Sequence, residues 1–215
     1  MPSCCRSLPA TEVGGDLVDA LLVARRPVAF VADVSGHGVA AGTAMALVKA
    51  ELRMRLRTSG DPDYILADLN DVLAQLVRPN TFVTAALLTL ESPTRLAYAL
   101  AGHPPIFHWR RRTRAVARLC ESAMALGVRA GERYALAHVE VEPGDLLAVL
   151  TDGLTETMDS QGRELGIEPL ERVLAADADA PLPALFDRLL EAARSHGVQH
   201  DDRTLLLLRV RAGAL

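Results

Sequence analysis

The sequence contains the stretch Val28-Ala29-Phe30-Val31-Ala32-Asp33-Val34-Ser35-Gly36-His37-Gly38, in which an apolar run ends in an aspartate and a glycine-rich loop. The apolar run is short and continuous, which predicts a buried β-strand. Glycines allow other groups to approach the backbone closely, and a carboxylate beside them suits a metal or phosphate site. The stretch therefore predicts a central strand with a candidate functional site at its end.

Similar clusters recur along the chain. A second strand-like run, Leu146 to Leu150, leads into Thr151-Asp152-Gly153, and two more acidic clusters are Gly14-Gly15-Asp16 and Asp201-Asp202. Any one of them could be a turn, since aspartate and glycine are common turn residues. Four clusters spread over most of the chain instead favour one site that is assembled by folding.

Length and composition exclude several classes of protein. The chain has 215 residues, enough for one sizeable α/β domain, and its net charge of −4 gives no support for a general nucleic-acid binder. No apolar run reaches the length of a membrane span. The segment Met1 to Ala10 lacks the apolar region of a signal peptide, and Cys4, Cys5 and Cys120 lack disulfide or zinc spacing. We therefore expect a cytoplasmic protein with reduced thiols.

Hydrophobic periodicity and turn residues predict the order of the elements. The predicted helices are Val39–Arg57, Pro62–Val77, Ile167–Ala176 and Pro183–His196. The predicted strands are Val28–Val34, Asn80–Leu90, Arg95–Ala101, Ile106–Trp109, Ala115–Leu119, Tyr134–Val141, Asp145–Thr151 and Thr204–Val210. Within this set, Tyr134–Val141 and Asp145–Thr151 are interpreted as a hairpin joined at Glu142-Pro143-Gly144.

This order predicts the fold class. A regular strand–helix–strand alternation would indicate a parallel sheet, but here strands and helices occur in groups. The pattern favours an α+β layered domain with mainly antiparallel sheets flanked by helices. Neither a repeat nor a linker is evident, so residues 1–215 are expected to form a single domain with its core from about residue 9 to residue 210.

The aspartates also predict a chemistry, if Asp16, Asp33, Asp152 and Asp201 converge. Two unpaired carboxylates at ~4 Å repel each other by about 4 kcal/mol at an effective dielectric constant near 20. Such a cluster should hold protons or bind cations, and two divalent cations would balance four carboxylates. Oxygen ligands favour Mg²⁺ or Mn²⁺ over Zn²⁺. Paired ions can activate a water for phosphate hydrolysis without a side-chain nucleophile.

Two alternatives concern the glycine-rich loop. His37 lies between Gly36 and Gly38, where it is either a general acid for the leaving oxygen or a loop histidine that faces solvent. The loop and the residues after it, Gly36 to Ala41, also match the GxGxxA pattern of a dinucleotide-binding turn. Against that function, Asp33 would repel a pyrophosphate, and the segment after the first helix looks helical again.

Five motifs in order resemble those of one family. They are Glu12-Val13-Gly14-Gly15-Asp16, Asp33-Val34-Ser35-Gly36-His37-Gly38, Ala101-Gly102-His103-Pro104-Pro105, Thr151-Asp152-Gly153 and Asp201-Asp202-Arg203-Thr204. In this order they resemble the SpoIIE-type branch of the metal-dependent (PPM, type 2C) serine/threonine protein phosphatases. The resemblance runs from about Pro9 to Val210, although only Met1 to Leu8 remains for the family's first strand.

The resemblance implies a four-layer α-β-β-α sandwich with two Mn²⁺ or Mg²⁺ ions at one edge. In the implied site Asp33 bridges both ions, Asp152 and Asp201 hold one ion, and Asp16 serves the other, with the Val34 carbonyl as a further ligand. The implied activity is removal of phosphate from phosphoserine or phosphothreonine on a regulatory protein, typically a STAS-type anti-sigma-factor antagonist in a partner-switching circuit.

One alternative within the same fold is a catalytically silent binding module, which four repelling carboxylates argue against. No membrane or nucleic-acid partner is expected, and a homodimer is left open.

Overall fold

The computed structural model describes residues 3–10, 12, 14–36, 38–58, 60–76 and 81–212. The strands within these ranges are β1 (Ser3–Leu8), β2 (Asp16–Val23), β3 (Arg26–Val34), β4 (Val83–Ser92), β5 (Arg95–Ala101), β6 (Ile106–Arg110), β7 (Ala115–Leu119), β8 (Ala137–Glu140), β9 (Leu146–Leu150) and β10 (Arg203–Arg209). The helices are α1 (Val39–Arg55), α2 (Pro62–Leu76), α3 (Asp152–Thr155), α4 (Glu168–Asp177) and α5 (Leu182–His196).

The strands form two five-stranded sheets. The first sheet has the order β1-β10-β9-β6-β7, and the second has the order β2-β3-β4-β5-β8. Neighbouring strands pair in antiparallel fashion in both sheets. The predicted α+β class with mainly antiparallel sheets is confirmed.

Three apolar clusters define the layers. One cluster joins α1 and α2 to the second sheet, with Phe30 and Leu69 in its centre. Another joins α4 and α5 to the first sheet, around Trp109 and Phe186. The third lies between the two sheets. The order of layers is therefore helix, sheet, sheet, helix, which confirms the four-layer sandwich.

The central strands show why their sequences are apolar at every position. In β10, Leu205 and Leu207 belong to the cluster under α5, whereas Leu206 and Leu208 belong to the cluster between the sheets. Successive side chains of a strand point to opposite faces, and both faces of this strand are covered. Leucine, valine and alanine can fill such a layer without many aromatic residues.

One predicted hairpin is wrong. β8 pairs with β5 in the second sheet, whereas β9 pairs with β10 and β6 in the first sheet. The turn at Glu142-Pro143-Gly144 therefore carries the chain from one sheet to the other. Adjacent strands with a turn between them have the same local pattern in both arrangements, so the distinction depends on tertiary packing.

The strand β2 was not predicted. It lies at an edge of the second sheet and is mostly half-buried or exposed, so its alternation of apolar and polar residues is weak. It joins β3 through Ala24 and Arg25, both with positive φ, of 47° and 69°. By contrast, the four longer helices agree with their predicted bounds within two residues, apart from the end of the predicted helix Pro62–Val77, where residues 77–80 lie outside the described residues.

Among the described residues, no helix combines the length and the apolar character that a membrane crossing requires.

Candidate metal centre

Two of the predicted site residues lie at one rung of the second sheet. Asp16 begins β2, and it is directly opposite Asp33 near the end of β3. Residues opposite each other in an antiparallel pair have Cβ atoms about 5 Å apart, and like charges at such positions are destabilising. The fold therefore brings these two carboxyl groups together even though 16 residues separate them in the sequence.

The other two predicted residues lie at the adjoining edge of the first sheet. Asp152 is the first residue of α3, directly after β9, and Asp201 precedes β10. β9 and β10 are antiparallel neighbours, with Leu150 paired to Leu205, so the end of one strand meets the start of the other. This pairing explains why a motif at residue 152 and one at residue 201 reach the same place.

The carboxyl group of Asp33 is central among these aspartates. Burial is the main cause that raises the pKa of Asp33, to about 9, and the negative charges of Asp16, Asp152 and Asp201 raise it further. Burial also raises the pKa of Asp152, and the charge of Asp201 adds to the effect. Asp33 thus interacts with the other three carboxyl groups, and its raised pKa keeps it protonated at neutral pH when no metal is bound.

Asp16 has one satisfied and one unsatisfied carboxylate oxygen. Burial raises its pKa to about 7, an effect that the nearby hydroxyl groups of Thr204 and Thr151 partly offset. The hydroxyl of Thr151 donates a hydrogen bond of 2.9 Å to Oδ2. The other oxygen, Oδ1, is buried and has no hydrogen-bond partner among the described residues. An orphaned carboxylate oxygen in an acidic centre is the kind of group that a cation satisfies.

Asp202 is not one of the four predicted ligands, but its hydrogen bonds hold Asp16 in place. Its Oδ1 accepts a hydrogen bond from the Ala10 amide at 2.7 Å, and its Oδ2 accepts from the amides of Gly15 at 2.6 Å and Asp16 at 3.4 Å. A Cβ on Gly14 would lie 2.4 Å from Oδ2, so the turn needs glycine there. This buried carboxylate therefore ties the start of β2 to the start of β10.

The turn that carries Asp152 is fixed from the same strand. A Cβ on Gly153 would lie 2.1 Å from the carbonyl oxygen of Asp202, so only glycine permits this contact. The buried side chain of Arg203 donates to the Gly153 carbonyl at 3.4 Å, the Thr157 hydroxyl at 3.0 Å and the Gly197 carbonyl at 3.4 Å. Both contacts fix α3, and hence Asp152, relative to β10.

The loop after β3 is only partly described. A Cβ on Gly15 would lie 2.8 Å from the carbonyl oxygen of Val34, so this glycine leaves room beside the predicted backbone ligand. Gly36 and Gly38 have positive φ of 89° and 79°, which accounts for glycine at both positions. His37, the candidate general acid, lies outside the described residues, so its role stays a prediction.

The donor set fits hard divalent ions bound through few carboxylates each. Within the described part of the chain, no three His, Cys, Asp or Glu side chains come close enough together to chelate one ion. The arrangement that the resemblance implies, with Asp33, Asp152 and Asp201 at one ion, would therefore need bridging waters or side-chain movement, and Mg²⁺ commonly keeps several waters beside one or two carboxylates. The surplus of negative charge and the orphaned oxygen of Asp16 both favour cations at this edge.

Four residues near this centre had no role assigned from the sequence. Thr151, Asp202 and Arg203 act through hydrogen bonds to backbone or side chains that only the folded chain reveals. Glu156 lies one turn after Asp152, and its pKa is raised by burial and by the charges of Asp152, Glu164 and Asp201. The one signal for Glu156 in the sequence was its position four residues after Asp152, because residues at this spacing lie on the same face of a helix.

The dinucleotide-binding alternative is wrong. A dinucleotide-binding turn requires a strand, a helix and a second strand parallel to the first. Here β3 is followed by two helices and then by β4, which is antiparallel to β3. The glycine-rich loop therefore does not belong to that type of unit.

Comparisons with known proteins point in one direction. The model of the family "Stage II sporulation protein E (SpoIIE)" matches residues 24–211. The phosphoserine phosphatase RsbU of Bacillus subtilis (strain 168) is 27% identical over 207 residues, which cover 94% of this chain and 61% of RsbU. The chain thus spans about three-fifths of the length of that relative.

Two solved structures show the same fold. One holds the RsbU and RsbW domains of Rv1364c from Mycobacterium tuberculosis, with a TM-score of 0.84, 28% identity and coverage of 98% of this chain and 60% of that one. The other is the catalytic domain of the serine/threonine protein phosphatase PstP in complex with two manganese ions, with a TM-score of 0.74, 19% identity and coverage of 98% of both chains.

Proposed function

The chain belongs to the SpoIIE family, a branch of the metal-dependent (PPM) protein phosphatases, and from this membership we propose that it hydrolyses phosphoserine and phosphothreonine on a protein substrate. The observation that carries the proposal is the clustering of aspartates around Asp33: Asp16 lies directly opposite it in the β2–β3 pair, and the charges of Asp16, Asp152 and Asp201 all raise its pKa. Burial and neighbouring negative charge raise the pKa of Asp33, and a buried carboxyl group in such surroundings costs stability unless it serves a function such as cation binding.

Each aspartate has a proposed role. Asp33 interacts with the other three aspartates and is the residue suited to bridge two ions. Asp152 and Asp201 would share one ion, and Asp16 would serve the other through the oxygen that lacks a hydrogen-bond partner. The Val34 carbonyl is the proposed backbone ligand.

The chemistry needs no nucleophile from the chain. Two Mn²⁺ or Mg²⁺ ions bound at this edge would supply a water of lowered pKa as the nucleophile and would offset the charge of the phosphate. The chain itself orients the ligands: the Thr151 hydroxyl fixes Asp16, and the contacts of Gly153 and Arg203 fix Asp152. His37 is the proposed proton donor to the leaving oxygen.

The substrate we propose is a phosphorylated regulatory protein of the STAS type in a partner-switching circuit. Two facts support this class of substrate. A relative over nearly the whole of this chain is named a phosphoserine phosphatase, and a similar structure contains an RsbU and an RsbW domain in one protein. The PstP structure with two manganese ions supports Mn²⁺ as the ion to test first.

The test is hydrolysis of p-nitrophenyl phosphate and of a phosphoserine peptide with and without Mn²⁺. We expect turnover only with the metal, and losses of at least a hundredfold in Asp33→Asn and in Asp152→Asn. The control is Asp187→Asn, which removes an exposed carboxylate on α5. Metal-independent turnover, or full activity in both site variants, would refute the proposal.

The silent binding module is the second candidate, and a metal titration separates the two. A thermal melt with Mn²⁺ should shift upwards in either case if the ions bind the folded chain. A shift without turnover of any phosphorylated substrate would favour the binding module, whereas a shift with turnover supports the phosphatase.

A further inference from the structure

The strand β2 forms an open edge of the second sheet. It is the first strand in the order of that sheet, so it pairs with β3 on one side only. β1 lies at the corresponding edge of the first sheet, but it pairs with β10 and not with β2. An edge strand presents amide and carbonyl groups that are free to pair with another strand. The fold therefore offers a surface for strand addition along β2.

The hydrogen bonds of the sheet identify the backbone groups that face away from β3. The Val34 amide donates to the Gly15 carbonyl at 3.3 Å, so these residues form a hydrogen-bonded pair at the start of the ladder. Hydrogen-bonded and non-hydrogen-bonded pairs alternate along an antiparallel ladder. The amides and carbonyls of Val18, Ala20 and Leu22 therefore point to the open edge. Within the described part of the chain, they form no backbone hydrogen bond outside the β2–β3 pair.

β2 differs from the other edge strands in length and composition. β1, β7 and β8 have six, five and four residues, whereas β2 has eight. Natural edge strands resist pairing through short length, basic side chains, proline or bulges. β2 contains no proline, lysine or arginine, and its register with β3 is continuous. Its one charge beyond Asp16 is Asp19, which is paired with Arg53 of the same chain. None of these protections therefore prevents β2 from pairing.

The side chains along the open part of β2 are apolar. Leu22 leaves 67% of its surface exposed, Ala20 is also exposed, and Val18 is half-buried. Alternate residues of a strand lie on the same face of the sheet, so these three side chains share one face. A strand added at this edge would cover Leu22 and would remove apolar surface from water.

The distribution of charge along β2 identifies the strand that fits this edge. The strand is acidic where it begins, at Asp16 and Asp19, and it ends at a basic turn that contains Arg25 and leads to Arg26. A second copy of β2 in antiparallel orientation places the acidic start of each strand near the basic end of the other. A parallel copy would place acidic start beside acidic start, which is repulsive.

We propose that two copies of this chain pair through β2 in antiparallel orientation, with Ala20 of one copy opposite Ala20 of the other. Val18 of each copy then lies opposite Leu22 of the other, and all the open amides and carbonyls of these residues are used. The two second sheets become one continuous sheet. The same surface is used on both copies, so the assembly closes as a dimer. The pairing uses none of the four aspartates, so it does not depend on the proposed phosphatase activity.

Hydrogen bonds and charge together select this register. If Val18 lay opposite Ala20 of the other copy, the two Asp19 side chains would be directly opposite each other, and like charges at such positions are destabilising. That register would also need the Asp16 amide, which already donates to the Asp202 carboxylate at 3.4 Å. The register centred on Ala20 avoids both conflicts.

Analytical ultracentrifugation measures the pairing. We expect the mass to rise from the 23.1 kDa of one chain to twice that value as the concentration reaches about 100 μM, which corresponds to a Kd in the micromolar range. Ala20→Pro removes an open amide, and an edge strand tolerates proline where the amide faces solvent. This variant should stay monomeric and melt near the wild-type temperature. The matched control is His138→Pro on β8, at the other edge of the same sheet, which should dimerise as the wild type does.

A disulfide tests the register without a proline in the strand. In a hydrogen-bonded antiparallel pair the two Cα atoms are about 5.5 Å apart, a distance that a disulfide spans. In a chain whose exposed Cys5 and Cys120 are changed to serine, Ala20→Cys should give a covalent dimer on oxidation. His138→Cys in the same background should stay monomeric in denaturing gels. Failure of Ala20→Cys to cross-link at concentrations where the wild type is dimeric would overturn the register.

Charge reversal tests the antiparallel orientation. Arg25→Glu with Arg26→Glu makes both ends of β2 acidic, so we expect the dimer to weaken at least about tenfold at low salt. Arg110→Glu with Arg112→Glu makes the same change of charge at the turn after β6 and should leave the dimer unchanged. Equal losses in the two pairs would mean that only the overall charge matters, which would remove the basis for the orientation.

Three further outcomes would overturn the proposal. A chain that stays monomeric at every concentration would show that β2 does not pair. A dimer of undiminished stability in Ala20→Pro would place the interface elsewhere on the surface. Species larger than a dimer would indicate open-ended pairing, such as β2 of one copy with β8 of the next, instead of a closed contact between two β2 strands.

Discussion

Asp16 and Asp33 occupy the same rung of the β2–β3 ladder, and burial raises their pKa values to about 7 and about 9. An unfolded aspartate loses its proton near pH 4. The folded chain therefore retains protons that the unfolded chain releases, and the free energy of unfolding falls as pH rises from about 4 to about 9. In EDTA, thermal melts should show the protein to be less stable at pH 8.5 than at pH 5.5.

The variant Asp33→Asn isolates this effect. Because an amide does not titrate, the decline in melting temperature over the same pH range should be smaller than in the wild type. Asp187→Asn, at an exposed position on α5, should leave the wild-type decline in place. Identical pH profiles for wild type and Asp33→Asn would show that this carboxyl group is not proton-bound in the metal-free protein.

Adjacent aspartates at the start of β10 should have opposite effects on stability and metal binding. Asp202→Ala removes a buried carboxylate that accepts three backbone hydrogen bonds, so we expect a loss of about 3 kcal/mol in the free energy of unfolding. Asp201→Ala, at an exposed position, should change stability by less than about 0.5 kcal/mol but weaken Mn²⁺ binding. Urea unfolding and calorimetry with Mn²⁺ measure the two effects. Equal stability losses would contradict the separate roles.

A methyl group at residue 153 should disrupt the edge that carries Asp152. In Gly153→Ala the new Cβ would meet the Asp202 carbonyl oxygen at 2.1 Å, which forces α3 away from β10. We expect a loss of at least about 3 kcal/mol in the free energy of unfolding, together with weaker Mn²⁺ binding. Gly60→Ala, where a Cβ meets nothing within 4 Å, should cost less than about 1 kcal/mol. Wild-type stability of Gly153→Ala would mean that this contact is loose in solution.

The buried contact between His108 and Asp145, away from the candidate metal centre, should contribute more to stability than an exposed ion pair. His108 Nε2 lies 2.9 Å from Asp145 Oδ2, and both side chains are buried. Asp145 also accepts hydrogen bonds from the amides of Arg111 and Glu142. His108→Phe removes one of three hydrogen bonds to this buried carboxylate, so unfolding experiments should show a loss of about 2 to 3 kcal/mol. Arg112→Ala, which breaks an exposed pair with Glu142, should cost less than about 1 kcal/mol. Similar losses in both variants would contradict this view.

The sequence was sufficient to predict those helices and strands that depend on a local pattern alone. The helices α1, α2, α4 and α5 follow from their hydrophobic periodicity and from the Gly60-Asp61-Pro62 boundary. β3 and β10 follow from continuous apolar runs. The approach of Asp16, Asp33, Asp152 and Asp201 was inferred from repeated acidic clusters at strand ends. That residues 1–215 form a single domain, and that these aspartates bind metal, stay predictions.

Features that depend on distant parts of the chain were missed. The edge strand β2 has a weak pattern because much of it faces solvent. The division of β8 and β9 between two sheets cannot be distinguished from a hairpin by local pattern. The hydrogen bonds that the Asp202 carboxylate accepts come from backbone amides 187 and 192 residues away, at Gly15 and Ala10. No local rule specifies such a contact.

The three residues that enter β10 serve three separate parts of the molecule. Asp201 is one of the four clustered aspartates, Asp202 holds the turn before β2, and Arg203 holds the turn around Gly153. During synthesis, a chain that folds from its N-terminus will have both turns in place only after these residues have left the ribosome. A nascent chain that has not yet exposed them therefore lacks an ordered acidic edge, so the four aspartates can reach their final arrangement only after residue 203 has been added.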